Sequence, residues 1–158
     1  MSEKLPSEYL PIIAMLDPAT YTTQTGTGSC GHMFTDIVDM SKYRGAMFVL
    51  FTGAFSTAGS IVCDLVEMAT SYVSLGTTIT GKSATALLET GLDLNKQVVL
   101  NLDSSELTAG YDWVALKATL TSGDCLFGAM GIGIDPRFSE AYTSISYGDL
   151  SSVDEIVT

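Results

Sequence analysis

Met47-Phe48-Val49-Leu50-Phe51-Thr52 is followed by a turn-rich gap from Gly53 to Gly59 and then by Ser60-Ile61-Val62-Cys63-Asp64-Leu65-Val66-Glu67-Met68. An unbroken apolar run, a glycine-bounded gap and an alternating run read as two paired β-strands. In the second run Ile61, Cys63, Leu65 and Glu67 share one side of the pleat, and Val62, Asp64, Val66 and Met68 take the other. Asp64 and Glu67 therefore face apart, too far for shared acid–base work.

The same style of strand recurs outward from this stretch. Phe34 to Val38 reads as a strand, with Asp39 to Tyr43 as a polar turn leading into Met47 to Thr52. Gln97 to Leu102 is another strand, and Asp103-Ser104-Ser105-Glu106 has the spacing of a capping box around one helical turn. Ser83 to Thr90 has room for one or two helical turns stopped by Gly91. Tyr111 to Thr121 alternates most cleanly: Tyr111, Trp113, Ala115, Lys117, Thr119 and Thr121 face one way, and Val114, Leu116, Ala118 and Leu120 the other. Ser122-Gly123-Asp124 reads as a hairpin turn, returning Cys125 to Ile134 as the antiparallel partner of that strand. Gly128, Gly131 and Gly133 in the returning strand call for a bulge or a close backbone approach. Short strands between glycine-rich turns predict an all-β fold, an antiparallel β-sandwich or jelly roll.

The chain has 158 residues, 46% of them hydrophobic and 16% charged, enough for one domain with its own core. It divides into an extended N-terminal arm (1–33), a β-sandwich domain (34–138) and an acidic C-terminal tail or added strand (139–158). Pro6, Pro11 and Pro18 punctuate the arm, and Thr20 to Gly31 is rich in Thr, Gly and Ser. Leu10-Pro11-Ile12-Ile13-Ala14-Met15-Leu16 is apolar enough to want a surface. It suits an arm docking on a neighbour and, equally, a first edge strand of the same domain.

Eighteen acids against seven Lys and Arg give a net charge of −11. Binding to nucleic acid or to anionic membranes is disfavoured, because neutralising phosphates takes clustered cations and these are scattered. No uncharged apolar run reaches the ~20 residues of a membrane helix, and Met1 to Pro6 lacks the apolar core of a secretory signal. Three widely spaced cysteines (Cys30, Cys63, Cys125) are too few and too irregular for a disulfide framework or a zinc site. Cys63 and Cys125, in strand-like runs, read as buried hydrophobes.

Catalytic chemistry finds little footing. His32 is the single histidine, and Cys30 with His32 has no orienting third group and too few ligands for zinc. Thr25-Gly26-Thr27-Gly28-Ser29-Cys30-Gly31 lacks the lysine and the strand–loop–helix setting of a phosphate loop. Gly128 to Gly133 opens no helix, so it is not a dinucleotide fingerprint. Asp36 with Asp39 suits a solvated turn better than calcium. Tyr111 and Trp113 offer either a stacking platform for a sugar or core packing. No enzyme activity, cofactor or metal is expected.

Val38-Asp39-Met40-Ser41-Lys42-Tyr43, then Glu106-Leu107 and Tyr111-Asp112-Trp113-Val114, then Gly133-Ile134-Asp135-Pro136-Arg137-Phe138, form an order of motifs spread over residues 34–138. In that order the chain resembles the head decoration, or cement, proteins of tailed bacteriophages. The resemblance implies a non-enzymatic virion protein, made in the host cytoplasm and placed on the outer capsid surface. Such proteins form homo-oligomers, frequently trimers, and clamp neighbouring major capsid subunits, with an extended arm reaching across. It implies arm docking through Leu10, Ile12, Ile13 and Leu16, and a contact to a neighbour through Lys42, Tyr43 and Arg44. The acidic tail beyond Phe138 has no counterpart in that pattern. The alternatives are a glycan-binding β-sandwich using Tyr111 and Trp113, or another minor head or tail structural protein.

Overall fold

The computed structural model describes residues 10–22, 31–56, 58–71, 76–91 and 93–137. Its strands are β1 (Ile12–Thr22), β2 (Gly31–Phe34), β3 (Val38–Asp39), β4 (Tyr43–Phe55), β5 (Ser60–Met68), β6 (Thr77–Ser83), β7 (Leu87–Leu88), β8 (Gln97–Asp103), β9 (Trp113–Ser122) and β10 (Asp124–Pro136). They build two antiparallel sheets. Sheet A has the order β1-β10-β4-β8; sheet B runs β2-β9-β5-β6, with β3 beside β9 and β7 beside β5. The molecule is the expected β-sandwich.

The topology explains its shape. β1 pairs with β10, β2 and β3 with β9, β4 with β8, and β5 with β6 and β7. Each early strand meets a late one, as when one long hairpin is rolled up, and the turns of the roll join through β4–β10 and β5–β9. That is the order of a jelly roll.

Two local expectations are corrected by this rolling. β4 and β5 are consecutive but do not pair, since β4 lies between β10 and β8 whereas β5 lies between β9 and β6. Likewise Cys125 to Ile134 does not return beside β9: at Gly123 (φ 62°) the chain crosses into sheet A. Asp124 N donates to Ser56 Oγ at 2.6 Å and Ser56 N donates to Asp124 O at 2.8 Å. The β9–β10 crossing is thus strapped to the β4–β5 crossing. A tight glycine turn serves a hairpin or an arch between sheets, and the choice is made by distant partners.

The core lies between the sheets and contains Phe48 and Leu50 from β4, Ile61 and Leu65 from β5, Leu116 and Leu120 from β9, and Phe127 from β10, each at most 1% exposed. The alternation expected in β9 is observed, with Val114, Leu116, Ala118 and Leu120 inward. In β5, Ile61, Cys63 and Leu65 face the core while Asp64 faces out and pairs with Lys117 at 3.3 Å. Glu67 is buried and accepts from Thr108 N at 2.8 Å and Thr108 Oγ1 at 2.5 Å, which anchors the loop ahead of β9. Cys63 and Cys125 are free and buried, and burial pushes their thiols up to about 12 and about 11 respectively.

Three turns of 3₁₀ helix sit between strands: Met40–Lys42, Glu89–Gly91 and Ser104–Glu106. The last carries the expected capping box, with Asp103 accepting from Ser105 N and Glu106 accepting from Asp103 N, both at 2.8 Å. The helical turns expected over Ser83 to Thr90 reduce to Glu89–Gly91, because Leu87–Leu88 pairs with β5. The strand expected from Phe34 to Val38 is split at Thr35, whose hydroxyl accepts from Leu116 N at 3.1 Å.

Of the two readings of Leu10 to Leu16, the edge strand is the one observed. Ile12–Thr22 pairs along β10, and Ile13 and Ala14 enter the core. Residues 1–9 and 23–30 of the arm, with the tail 139–158, lie outside the described residues. The free edge of β1 is capped at Met15, whose N donates to Asp36 Oδ2 at 3.0 Å and whose O accepts from Asp36 N at 3.1 Å. At the other edge of sheet A, Lys82 Nζ donates to Asn101 O at 2.7 Å.

Candidate interaction surface

In-register partners on adjacent strands point to the same side of a sheet. On the side of sheet A turned away from the core, one row is Ile12–Ile132–Met47–Asn101 and the next is Met15–Met130–Val49–Val99. A third row is Gly128–Phe51–Gln97, beyond which Leu126 covers Gly53. A fourth, at the opposite end, is Ile134–Gly45–Asp103. The first three rows contain no ionisable side chain. Phe51, Val99, Leu126 and Ile134 are 39%, 50%, 40% and 37% exposed, which places four of the described large exposed hydrophobics on one face.

The relief of this face comes from its glycines. A Cβ at Gly128 would lie 3.0 Å from Pro18 Cα, and one at Gly53 would lie 2.9 Å from Leu126 Cδ2. The glycines let Leu126 and Pro18 lie close against the sheet, and beside them Pro18, Phe51, Leu126 and Met130 surround an apolar groove of about 330 Å³. The exposed Phe51 and Leu126 stand on its rim.

Paired charge gathers at one corner of the face, and the exposed Asp17 stands at the β1 bulge between the groove-lining Leu16 and Pro18. Arg44 Nε lies 3.3 Å from Asp135 Oδ2, and Arg137 Nη2 donates to Ser104 Oγ at 2.7 Å. Hydrogen bonds from the Ser105 hydroxyl and amide hold Asp103 below the usual carboxylate range, with Arg44 and Arg137 adding to the effect. The Asp103 amide and then Lys82, 2.7 Å away, lower Glu106 in the same way.

The residues expected to bind a partner are sorted by this geometry. Leu10 is half exposed just before β1, and Ile12 lies on the outer face beside Ile132. Ile13 is buried, and Leu16 packs against the core. Lys42 pairs with Asp39 at 3.5 Å and Arg44 with Asp135. Tyr43 is a core residue, 2% exposed, and a Cβ at Gly133 would fall 2.6 Å from its ring. Leu10, Ile12 and Arg44 end up at one end of sheet A, where β1, β10 and β4 lie side by side. Ile13, Leu16 and Tyr43 contribute packing instead.

Other candidates are absorbed locally. Asp36 is spent on Met15, and Asp39 Oδ1 accepts from Ser41 N and Oγ. Among the described residues no three His, Cys, Asp or Glu side chains converge. His32 Nδ1 is 3.0 Å from Thr119 Oγ1, and Cys30 lies outside the described residues. Trp113 packs with Phe34 and Ile37 onto Val66, Met68 and Ala115, on the outer side of sheet B, and Tyr111 sits in the loop ahead of β9.

Met47, Phe51, Val99 and Met130 carry the open face, with Val49 buried among them, and sequence reasoning passed over them. The signal was present: β4 and β10 are apolar at nearly every position, whereas a sandwich strand with one wet face alternates. Comparison with protein-family models, curated proteins and solved structures gives no match.

Proposed function

We propose that this chain is a non-enzymatic structural protein of a tailed-phage virion, a decoration protein that binds the outside of the expanded head. Its partners on this reading are the major capsid protein and further copies of itself, with no role for nucleic acid, membrane or cofactor. The observation that carries the reading is the outer face of sheet A: a chain of net charge −11 turns outward three rows that are mostly apolar and uncharged at their paired positions, with Phe51, Val99 and Leu126 exposed. Contiguous apolar patches of this kind mark surfaces that another protein covers. Two further features support it. Val38 to Tyr43 and Gly133 to Arg137, which resemble the cement proteins, meet in space, Tyr43 opposite Pro136 and Arg137 N donating to Lys42 O at 2.9 Å. The jelly roll, by analogy of fold alone, is frequent among capsid domains.

Cementing requires binding to the closed shell more tightly than to free capsid subunits, which adds stability by mass action. Contacts to several subunits at once let individually weak sites suffice. The test is co-sedimentation with expanded, undecorated heads built from the major capsid protein of the same genome. Saturable binding with a raised head-disruption temperature is expected; a chain left in the supernatant at tens of micromolar overturns the reading. Removal of residues 1–9 tests the arm without touching β1, and unchanged shell binding would remove the arm from the mechanism.

A further inference from the structure

We infer that the outer face of sheet A is where copies of this chain meet, so that the unit presented to a shell is a homo-oligomer joined sheet to sheet. This deepens the assembly reading above by naming the occupant of its apolar face.

The first argument is composition. The face offers little to recognise by charge: the paired positions of its three central rows hold no ionisable group, Asp17 at the β1 bulge is the acid beside them, and the Arg44–Asp135 ion pair is satisfied within the chain. Interfaces between identical subunits are more apolar than those between transient partners, which are about as polar as ordinary surface. A basic partner drawn by the charge of −11 would dock where acids cluster; here the paired positions of the rows hold none and Asp17 stands alone at the β1 bulge.

The second argument is area. Four strands at ~4.8 Å spacing and about six residues at ~3.3 Å give a flat footprint of roughly 400 Å² before the relief of the side chains is added. Stable complexes bury ~600–1,000 Å² of accessible surface per partner, so this face with its rim supplies most of what an oligomer needs.

The third argument is relief. The exposed Phe51 and Leu126 stand beside the groove that Gly53, Gly128 and Pro18 help to line. A knob adjacent to a hole on the same surface is self-complementary: a rotation that faces two copies brings each knob to the other's hole. The like-charged remainder of each copy stays at the periphery, where salt screens it.

The test is sedimentation equilibrium and native mass spectrometry of the full chain, with Val99→Asp and Phe51→Asp as interface variants and Leu88→Asp as a control on an exposed residue of β7. The wild type is expected at a multiple of 16.7 kDa, the two variants to dissociate at least tenfold more readily, and the control to match the wild type. A wild type that is monomeric at ~100 µM, or an oligomer indifferent to both variants, overturns the inference. Val99→Cys in a Cys30→Ser background covers the case in which a charged variant fails to fold. Its thiol should be shielded from maleimide in the oligomer and exposed on dilution, and full-rate labelling of an intact oligomer also overturns the inference. Shell binding by a monomer would leave the decoration reading standing while removing this one; an oligomer that ignores shells would do the reverse.

Discussion

The two sheets finish their outer faces in opposite ways. Sheet B covers its apolar positions with its own residues: Val66, Met68 and Ala115 are buried under Phe34, Ile37 and Trp113, and the adjoining polar stretch is closed by Asp64 with Lys117 and His32 with Thr119. Sheet A leaves Phe51, Val99, Leu126 and Ile134 in water. Both faces are rich in apolar side chains, so composition does not separate them; what separates them is whether the described residues supply a cover. The covered face serves stability, and on the proposed reading the face that the described residues leave open serves association.

Substitutions can break this contrast directly. Met68→Ala, on the covered face and 2% exposed, should cost about 2–4 kcal/mol by urea denaturation. Phe51→Ala, on the open face, should cost less than about 1 kcal/mol when measured at dilutions where copies are apart. Equal costs would mean that sheet A's face is already covered within one chain. Next in size is Glu67→Ala, which leaves the Thr108 amide and hydroxyl without their acceptor. A loss of about 1–3 kcal/mol is expected, with Glu67→Gln recovering part of it, and a neutral result would show that the loop ahead of β9 is not anchored there.

A smaller effect tests the polar closure of sheet B. Asp64 and Lys117 face each other across β5 and β9 with side chains only 15% and 16% exposed. A double-mutant cycle with Asp64→Asn and Lys117→Met should give a coupling of about 0.5–1 kcal/mol that persists in moderate salt; coupling abolished by salt would place the pair in open solvent. The smallest effect lies at the charged corner of sheet A. Asp103 and Glu106 are held below their usual range in the native state, so the unfolded chain takes up protons first as the pH falls. Their contribution is complete above the ordinary carboxylate range and is lost as acidification reaches the native values. Because both are exposed, Asp103→Asn should flatten the acid limb of the stability profile only slightly, and less in high salt.

How much of this was legible beforehand depended on the range of the interaction involved. The alternation read over Tyr111 to Thr121, the opposite facing of Asp64 and Glu67, and the capping box at Asp103 are fixed by neighbours a few residues away; the last two are found as read, and the first holds from Trp113 onward, with Tyr111 in the loop before β9. The turn at Gly123 and the gap from Gly53 to Gly59 were misread as hairpins because local signals say only that the chain reverses. Which strand it then joins is set by β1, β8 and β9, many residues distant. Tyr43 looked like a surface aromatic between Lys42 and Arg44; its burial depends on Gly133 leaving room for the ring, a contact between the two ends of the domain. The open face was visible as unbroken apolarity in β4 and β10, yet a run apolar on both sides reads equally as a doubly buried strand until the described residues are seen to place no second layer over it.

The capping of Met15 by Asp36, and of Asn101 by Lys82 at the far edge of the same sheet, has a consequence for the form an assembly can take. Strands added at a sheet edge present a new edge each time, so edge growth has no natural end and leads towards fibres. With both margins of sheet A interrupted, that route is obstructed while the flat side stays available. A flat side is used up by the copy that covers it, whereas an edge is renewed by every strand that joins. On the proposed assembly reading, blocking the renewable contact and keeping the consumable one would bias the chain towards particles of finite size, the property a component counted out in fixed numbers must have.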